Sequence, residues 1–271
     1  MLTTRQAIGA AIAERLWTHR DQLAVQWATA RPIRYFVQDD LLPADDVREL
    51  ATHFPDPQTL LLRASLREHK RVGVDVRRYD PRIGEYLYAF QEPAVVQAVS
   101  EITQLRGLEP DPTLYASGIS VMGRGDFLEP HLDNSHDGDG RRYRVLNLLF
   151  YVSPDWRAEY GGNLELWDPR VRTATPVVAQ FNRLVVMETH QTNWHSVSRV
   201  GVDASRYCVS NYYFSVQSPT GHPYTQVTMF RGRPEEPVKR LLLWADSAAR
   251  NLAGRLIPNA RRRSTHQLPR G

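Results

Sequence analysis

The chain has a single cysteine, Cys208, so no disulfide can close within it and no cysteine-based zinc site can be built. A fold held by apolar burial in a reducing compartment is the expectation. Lysine is nearly absent as well: Lys70 and Lys239 are the two present, and the other basic residues are arginines. That skew points to genome composition more than to function. Long apolar runs are missing, since no window approaches the roughly 20 residues a membrane helix needs. Residues 1–20 do not read as a signal peptide, because Glu14 and Arg15 interrupt the apolar stretch. These absences predict a soluble protein of the cytoplasm, with peripheral attachment to the inner face of a membrane as an extension. What is present is ordinary globular material: 42% hydrophobic and 24% charged residues over 271 positions, enough for a sizeable core.

The net charge of +4 is unevenly spread. Residues 250–271 hold Arg250, Arg255, Arg261, Arg262, Arg263 and Arg270 with no acid, which leaves 28 basic and 30 acidic residues in 1–249, a body charge of −2. Such a run is most often a solvated end. Its sharper use is as a tether to an anionic membrane surface. Nucleic acid is not expected as a partner, because the β-rich middle has no basic stripe with interleaved aromatics.

No repeat or low-complexity block divides the chain, and no Pro/Gly/Ser-rich linker does, so 1–271 reads as a single domain. Residues 1–110 read as largely helical support. Ile8, Ala11, Ile12, Leu16, Leu23 and Trp27 recur at helical spacing, a second helix opens at Pro43–Asp45, and a third starts with Pro93. IRYFVQDDLLP reads as a short strand, and 56–106 is otherwise mixed. From 111 to 233 the segments are short, β-branched and aromatic, and separated by Gly and Asp turns, which suggests a sandwich or barrel. From 234 to 271 a C-terminal helix, with Val238, Leu241, Leu242, Trp244 and Ala245 on one side, leads into the basic tail.

Within the β-rich stretch, His131-Leu132-Asp133 would place His131 and Asp133 on one face of a strand and Leu132 on the other. An imidazole and a carboxylate so placed can share one metal ion. A third ligand has to come from elsewhere, and His190 and His195 are the candidates. Two histidines and a carboxylate leave adjacent positions open on an octahedral ion, the arrangement of non-heme Fe(II) oxygenases. A chelating 2-oxo acid also brings a far carboxylate, for which a buried arginine is a good partner. Arg206 lies in a predicted strand, whereas Arg199 sits where the chain is leaving one, so Arg206 is preferred.

With these pieces in order, HLDN, DGDGRRYRVLNLLFYVSPDW, GGNLELWD, WHSV and RYCVSNYYF, the stretch from about 115 to 216 resembles the prolyl-hydroxylase branch of the 2-oxoglutarate and Fe(II)-dependent dioxygenases. The resemblance implies a double-stranded β-helix (jelly roll), mainly β with flanking helices. It favours His195 over His190, giving His131, Asp133 and His195 as iron ligands. It also implies that Arg206 and Tyr151 hold the tail carboxylate of 2-oxoglutarate and that Asn147 makes a polar contact to it. Tyr212 falls where a Trp often stands beside the iron. One departure concerns the preceding strand, which has Val121 and Met122 where many relatives place a tyrosine. The implied cofactors are Fe(II), 2-oxoglutarate as co-substrate and O₂, with ascorbate as an optional addition.

The implied reaction is hydroxylation of an unactivated C–H bond with decarboxylation of 2-oxoglutarate to succinate. The carboxylate of Asp133 favours hydroxylation over halogenation, since related halogenases carry a small residue there. The substrate is left among a small molecule, an anionic sugar–lipid headgroup and a peptidyl proline. A non-catalytic sensor or interaction module that binds metal or a 2-oxo acid is the competing class. Other polar residues read as structural: His136, Asp137 and Asp139 as turn formers, and Arg141, Arg142 and Arg144 as a solvated strand edge or contacts to an anionic substrate. Gly161 and Gly162 read as a sharp turn beside the site. Trp156, Trp167 and Trp194 read as core or rim residues, with Trp167 also a candidate for lining the pocket. Cys208 reads as a small buried hydrophobe.

Overall fold

The structure, a computed structural model, describes residues 2–73 and 75–256, the last nine by backbone alone. The helices are α1 (Arg5–Thr18), α2 (Arg20–Thr29), α3 (Ala44–Thr52), α4 (Pro81–Ala89), α5 (Pro93–Thr103) and α6 (Pro237–Leu256). The Thr4 hydroxyl caps α1 by accepting from the Ala7 N–H, and the helix buries Ile8, Ile12 and Leu16 one turn apart. Asp80 caps α4 by accepting from the Arg82 N–H, ahead of a first-turn proline.

Twelve strands form one antiparallel sheet: β1 (Tyr35–Gln38), β2 (Leu61–Ala64), β3 (Glu68–Gly73), β4 (Gly118–Met122), β5 (Phe127–Leu132), β6 (Tyr143–Tyr151), β7 (Leu164–Trp167), β8 (Ala174–Val177), β9 (Arg183–Glu188), β10 (His195–Val197), β11 (Arg206–Ser215) and β12 (Met229–Phe230). Ten of them run in the order β1-β9-β6-β11-β4-β3-β5-β10-β7-β8, with β2 added to β3 and β12 to β5. The sheet curls into a half-barrel. The expected class, mainly β with flanking helices in a jelly roll, is what the structure shows.

Strand periodicity divides the interior into two layers. On β6, Leu146, Leu148 and Phe150 join the outer core beneath α1 to α5, while Asn147, Leu149 and Tyr151 turn into the barrel. On β11, Val209 and Tyr213 face outward, and Arg206, Cys208, Ser210 and Tyr212 face the barrel cavity. Strand β5 departs from this alternation. His131 pairs with His195 but Leu128 pairs with Val197, so β5 carries one extra residue around Pro130. Leu128 and His131 both reach the cavity as a result.

The segment 1–110 is more than helical support, because it supplies β1, β2 and β3. Strand β3 pairs with β4 through Arg71–Gly73 and with β5 through Glu68 and His69, and so bridges the two halves of the sheet. The sequence hides it because Glu68–Arg71 are polar, half-buried residues: Glu68 and Lys70 face a polar cavity while His69 and Arg71 turn to Asp126, so no apolar alternation results. Among the described residues no helix is long and apolar enough to cross a membrane. Arg261, Arg262, Arg263 and Arg270 of the basic tail lie outside the described residues.

Candidate metal centre

His131 near the end of β5 and His195 at the start of β10 are direct cross-strand partners, with ring centroids 4.1 Å apart. Asp133 follows β5 immediately, on the same face as His131. Its Oδ1 lies 3.8 Å from His131 Nε2, and its Oδ2 lies 3.8 Å from His195 Nε2. One ligand atom from each residue fits within 4.8 Å of the other two. The two rings are oriented alike: His131 Nδ1 is 3.0 Å from the Glu129 carbonyl and His195 Nδ1 is 3.0 Å from the Asn193 carbonyl. A carbonyl only accepts, so each Nδ1 carries the proton and each Nε2 presents a lone pair to the centre. Phe230 on β12 stacks on His131 at 5.5 Å.

Burial, then the neighbouring His195, pushes the His131 pKa down to about 3, which keeps the ring neutral and able to coordinate. Burial opposes ionisation of Asp133, but Arg144, followed by the two histidines, outweighs it and holds the carboxyl well below the usual range. Arg144 Nη1 lies 3.2 Å from Asp133 Oδ1, whereas Asp133 Oδ2 is buried with no hydrogen-bond partner. A buried anionic oxygen beside two inward imidazole lone pairs is the donor set a divalent cation requires. These residues fit the metal.

The same cavity, about 440 Å³, extends to Arg206 on β11. Arg206 is 3% exposed and has no acidic partner among the described residues. Its guanidinium stacks over the Tyr151 ring at 4.7 Å and reaches Met122 Sδ at 3.7 Å, while its Nε is unpartnered. The Tyr151 hydroxyl beside it is buried without a well-formed hydrogen bond, and burial raises its pKa despite Arg206. Asn147 donates to the Tyr212 hydroxyl at 3.1 Å and leaves its own Oδ1 unpartnered. A buried cation and a free hydroxyl fit the carboxylate of an anionic ligand. Gly162 makes room for this arrangement. It sits at φ +66°, and a Cβ there would come within 2.7 Å of Arg206 Cδ.

Other sequence candidates lie elsewhere. His190 is 3.6 Å from Glu188 at the far end of β9, outside the ligand cluster. Arg199 donates to the Gly125 carbonyl and stacks over Phe127. Asp137 accepts from the backbone of Arg141 and pairs with Arg142, His136 bonds Ser135, and Asp139 is exposed, all of it loop structure. Trp167 donates to Ser196 Oγ and packs with Leu132, Val171 and Trp194, away from the cavity. Arg144 corrects the reading of a solvated strand edge, for it is 5% exposed and stacked over Tyr212 at 4.4 Å. Lys70 and Phe230 carried no sequence signal as cavity residues. Each lies outside the matched motifs, and contacts across the barrel bring it to the site.

Residues 117–214, which hold the His-Asp-His cluster together with Arg206, Tyr151 and Asn147, match the sequence model of the 2OG-Fe(II) oxygenase superfamily. Over that stretch, about a third of the chain, the protein is similar to the oxygenase domain of this superfamily. Among curated proteins it resembles the prolyl 3-hydroxylase OGFOD1 of Mus musculus, with 24% identity over 120 residues, 42% of this chain and 21% of the relative. The matched stretch therefore spans about a fifth of that protein's length. Among solved structures, a Pseudomonas putida prolyl-4-hydroxylase superposes with TM-score 0.54 and 21% identity, covering 71% of this chain and 98% of its own. A prolyl 4-hydroxylase from Phytophthora capsici gives 0.51 and 16%, covering 93% and 80%. A 2OG-Fe(II) oxygenase family oxidoreductase from Burkholderia pseudomallei gives 0.51 and 12%, covering 73% and 90%. These likenesses establish the shared fold.

Proposed function

We propose that the protein is a hydroxylase that uses Fe(II), 2-oxoglutarate and O₂. The observation that carries this reading is Arg206, a buried guanidinium without an acidic partner among the described residues, lining the same cavity as the His131, Asp133 and His195 cluster. A buried cation left unpaired is costly, and a ligand carboxylate offsets that cost. In this reading His131 and His195 coordinate through Nε2 and Asp133 through its free oxygen, while Arg206 and Tyr151 take the tail carboxylate and Asn147 offers a polar contact. The bound iron supplies the oxidation: 2-oxoglutarate, O₂ and a C–H bond become succinate, CO₂ and a C–OH, with one oxygen atom in succinate and one in the product. The chain's own residues fix the co-substrate's direction, keep the donors neutral or anionic as coordination needs, and exclude bulk water.

For the substrate, the charge of the cavity favours a compound with an anionic group. Arg63, Arg67, Lys70, Arg144 and Arg206 line it against Glu68 and Asp133. Arg67 pairs with Asp246, Lys70 with Glu68 and Arg144 with Asp133, which among the described residues leaves Arg63 and Arg206 over. A small anionic molecule or a sugar–lipid headgroup meets this description. Peptidyl proline is the second reading, on the names of the relatives. Anaerobic titration with Fe(II) and 2-oxoglutarate should give a weak visible charge-transfer band that His131→Ala and Arg206→Ala lose. Succinate release should then be screened against acidic small molecules, headgroups and proline peptides. If His131→Ala bound both ligands like the wild type, the site assignment would be wrong. Binding with no succinate release under any condition would favour a sensor.

A further inference from the structure

Helix α6 carries an apolar stripe on the side turned away from the protein. Its inner side is fixed by Leu243, 2% exposed, and by Ser247, whose hydroxyl accepts from the Phe230 N–H at 3.0 Å and donates to the Phe230 carbonyl at 2.8 Å. Flanking tethers hold the helix in that orientation: Lys239 to Glu129, Arg240 to the Val171 carbonyl and Asp246 to Arg67. Val238, Leu241 and Leu242 are 74%, 66% and 52% exposed, and the neighbouring Trp244 is 62% exposed. Positions 238, 241, 242 and 245 follow the i, i+3, i+4, i+7 spacing that normally marks a core-facing stripe, yet among the described residues this one stays exposed. In the sequence the spacing recurs at Ala249, Leu252 and Leu256.

We propose that this face of α6 docks on an anionic membrane surface, lying in the plane of the lipid headgroups. Charge complementarity selects the occupant. The sequence from Arg250 onward has six arginines and no acid, while the acids of the helix region are Glu235 and Glu236 at its start and Asp246, which is neutralised by Arg67. An apolar stripe beside an exposed tryptophan and a concentrated positive charge is the pattern of an interfacial helix. Leu66, 60% exposed, adjoins Arg67 and adds an apolar side chain next to the α6 tether. A second copy of the chain is the poorer occupant, because a self-complementary contact would bring two arginine-rich segments together. Nucleic acid has no use for exposed leucines.

The test is flotation of the full chain with phosphatidylcholine vesicles, with and without about 30% phosphatidylserine, at low and high salt, read together with tryptophan fluorescence. Binding should require phosphatidylserine, weaken with salt and shift the emission to the blue, the shift being lost in Trp244→Phe. Leu241→Glu with Leu242→Glu should weaken binding about tenfold or more while leaving uncoupled 2-oxoglutarate turnover unchanged. Removal of 257–271 should weaken it and reduce the salt dependence. The proposal is overturned by three results: no binding to anionic vesicles at low salt, binding that the double glutamate variant leaves intact, or a concentration-dependent dimer that this variant abolishes. Retained turnover confirms that a loss of binding is not a loss of fold.

Discussion

Arg144 holds one oxygen of Asp133 at 3.2 Å and leaves the other bare beside His195 Nε2. Orientation and charge oppose one another here: the guanidinium repels a bound cation but fixes the carboxylate that would bind it. Fixing a ligand's direction is commonly worth roughly 10- to 100-fold in affinity. We therefore expect Arg144→Gln to weaken Mn(II) binding, measured anaerobically by calorimetry, by about tenfold with circular dichroism unchanged. Equal or tighter binding would show that charge relief dominates.

Gly162 and Arg206 make a second pair. Gly162→Ala places a methyl 2.7 Å from Arg206 Cδ at a backbone angle, φ +66°, that alanine adopts only under strain. The expected cost is about 1–3 kcal/mol of stability. The more telling readout is the KM for 2-oxoglutarate, which should rise as the guanidinium is displaced, while metal affinity stays near wild type. A change in metal affinity with KM intact would separate Gly162 from the cofactor end.

Glu188 governs a response to acid remote from the metal. Burial opposes its ionisation, but the nearby His190 ring and the Arg34 guanidinium that donates to it keep its pKa below the ordinary value of 4.5. A depressed carboxyl contributes stability that is fully present above about pH 4.5 and is lost as pH falls through its folded value. Glu188→Gln should lower stability at pH 7 by about 1–2 kcal/mol, Arg34 being partly exposed. The gap to wild type should narrow as melts move below pH 4.5 toward the lowered folded value, and a constant gap across pH would refute the role.

Much of the site was legible because its parts sit on strands with fixed periodicity. His131 and Asp133 share a face and Arg206 lies in a later strand, so order and alternation were enough to list these three, whereas Tyr151 was implied by the family resemblance. Choosing His195 over His190 needed the motif around Trp194, and the structure shows the reason: His190 lies past the end of β9, beside Glu188. What the sequence concealed depended on partners distant in the chain. Arg144 looks solvated until Asp133 and Tyr212 enclose it. Strand β3 has no apolar alternation because Glu68 and Lys70 face a polar cavity and His69 and Arg71 face Asp126, and β2 is a short, mostly exposed strand; the extra residue in β5 leaves no mark beyond Pro130. The stripe on α6 was readable as a pattern, but its direction was not.

Strand β3 makes the metal centre a product of distant parts of the chain. Residues 68–73 must come to rest between β4 and β5, segments that begin some fifty residues later, before the mouth of the cavity has a wall. Closing so long a loop is slow compared with forming neighbouring hairpins. A fragment cut to the family segment alone would leave the facing borders of β4 and β5 without their partner and prone to pairing with other chains. A unit that keeps both borders paired must therefore include residues 68–73.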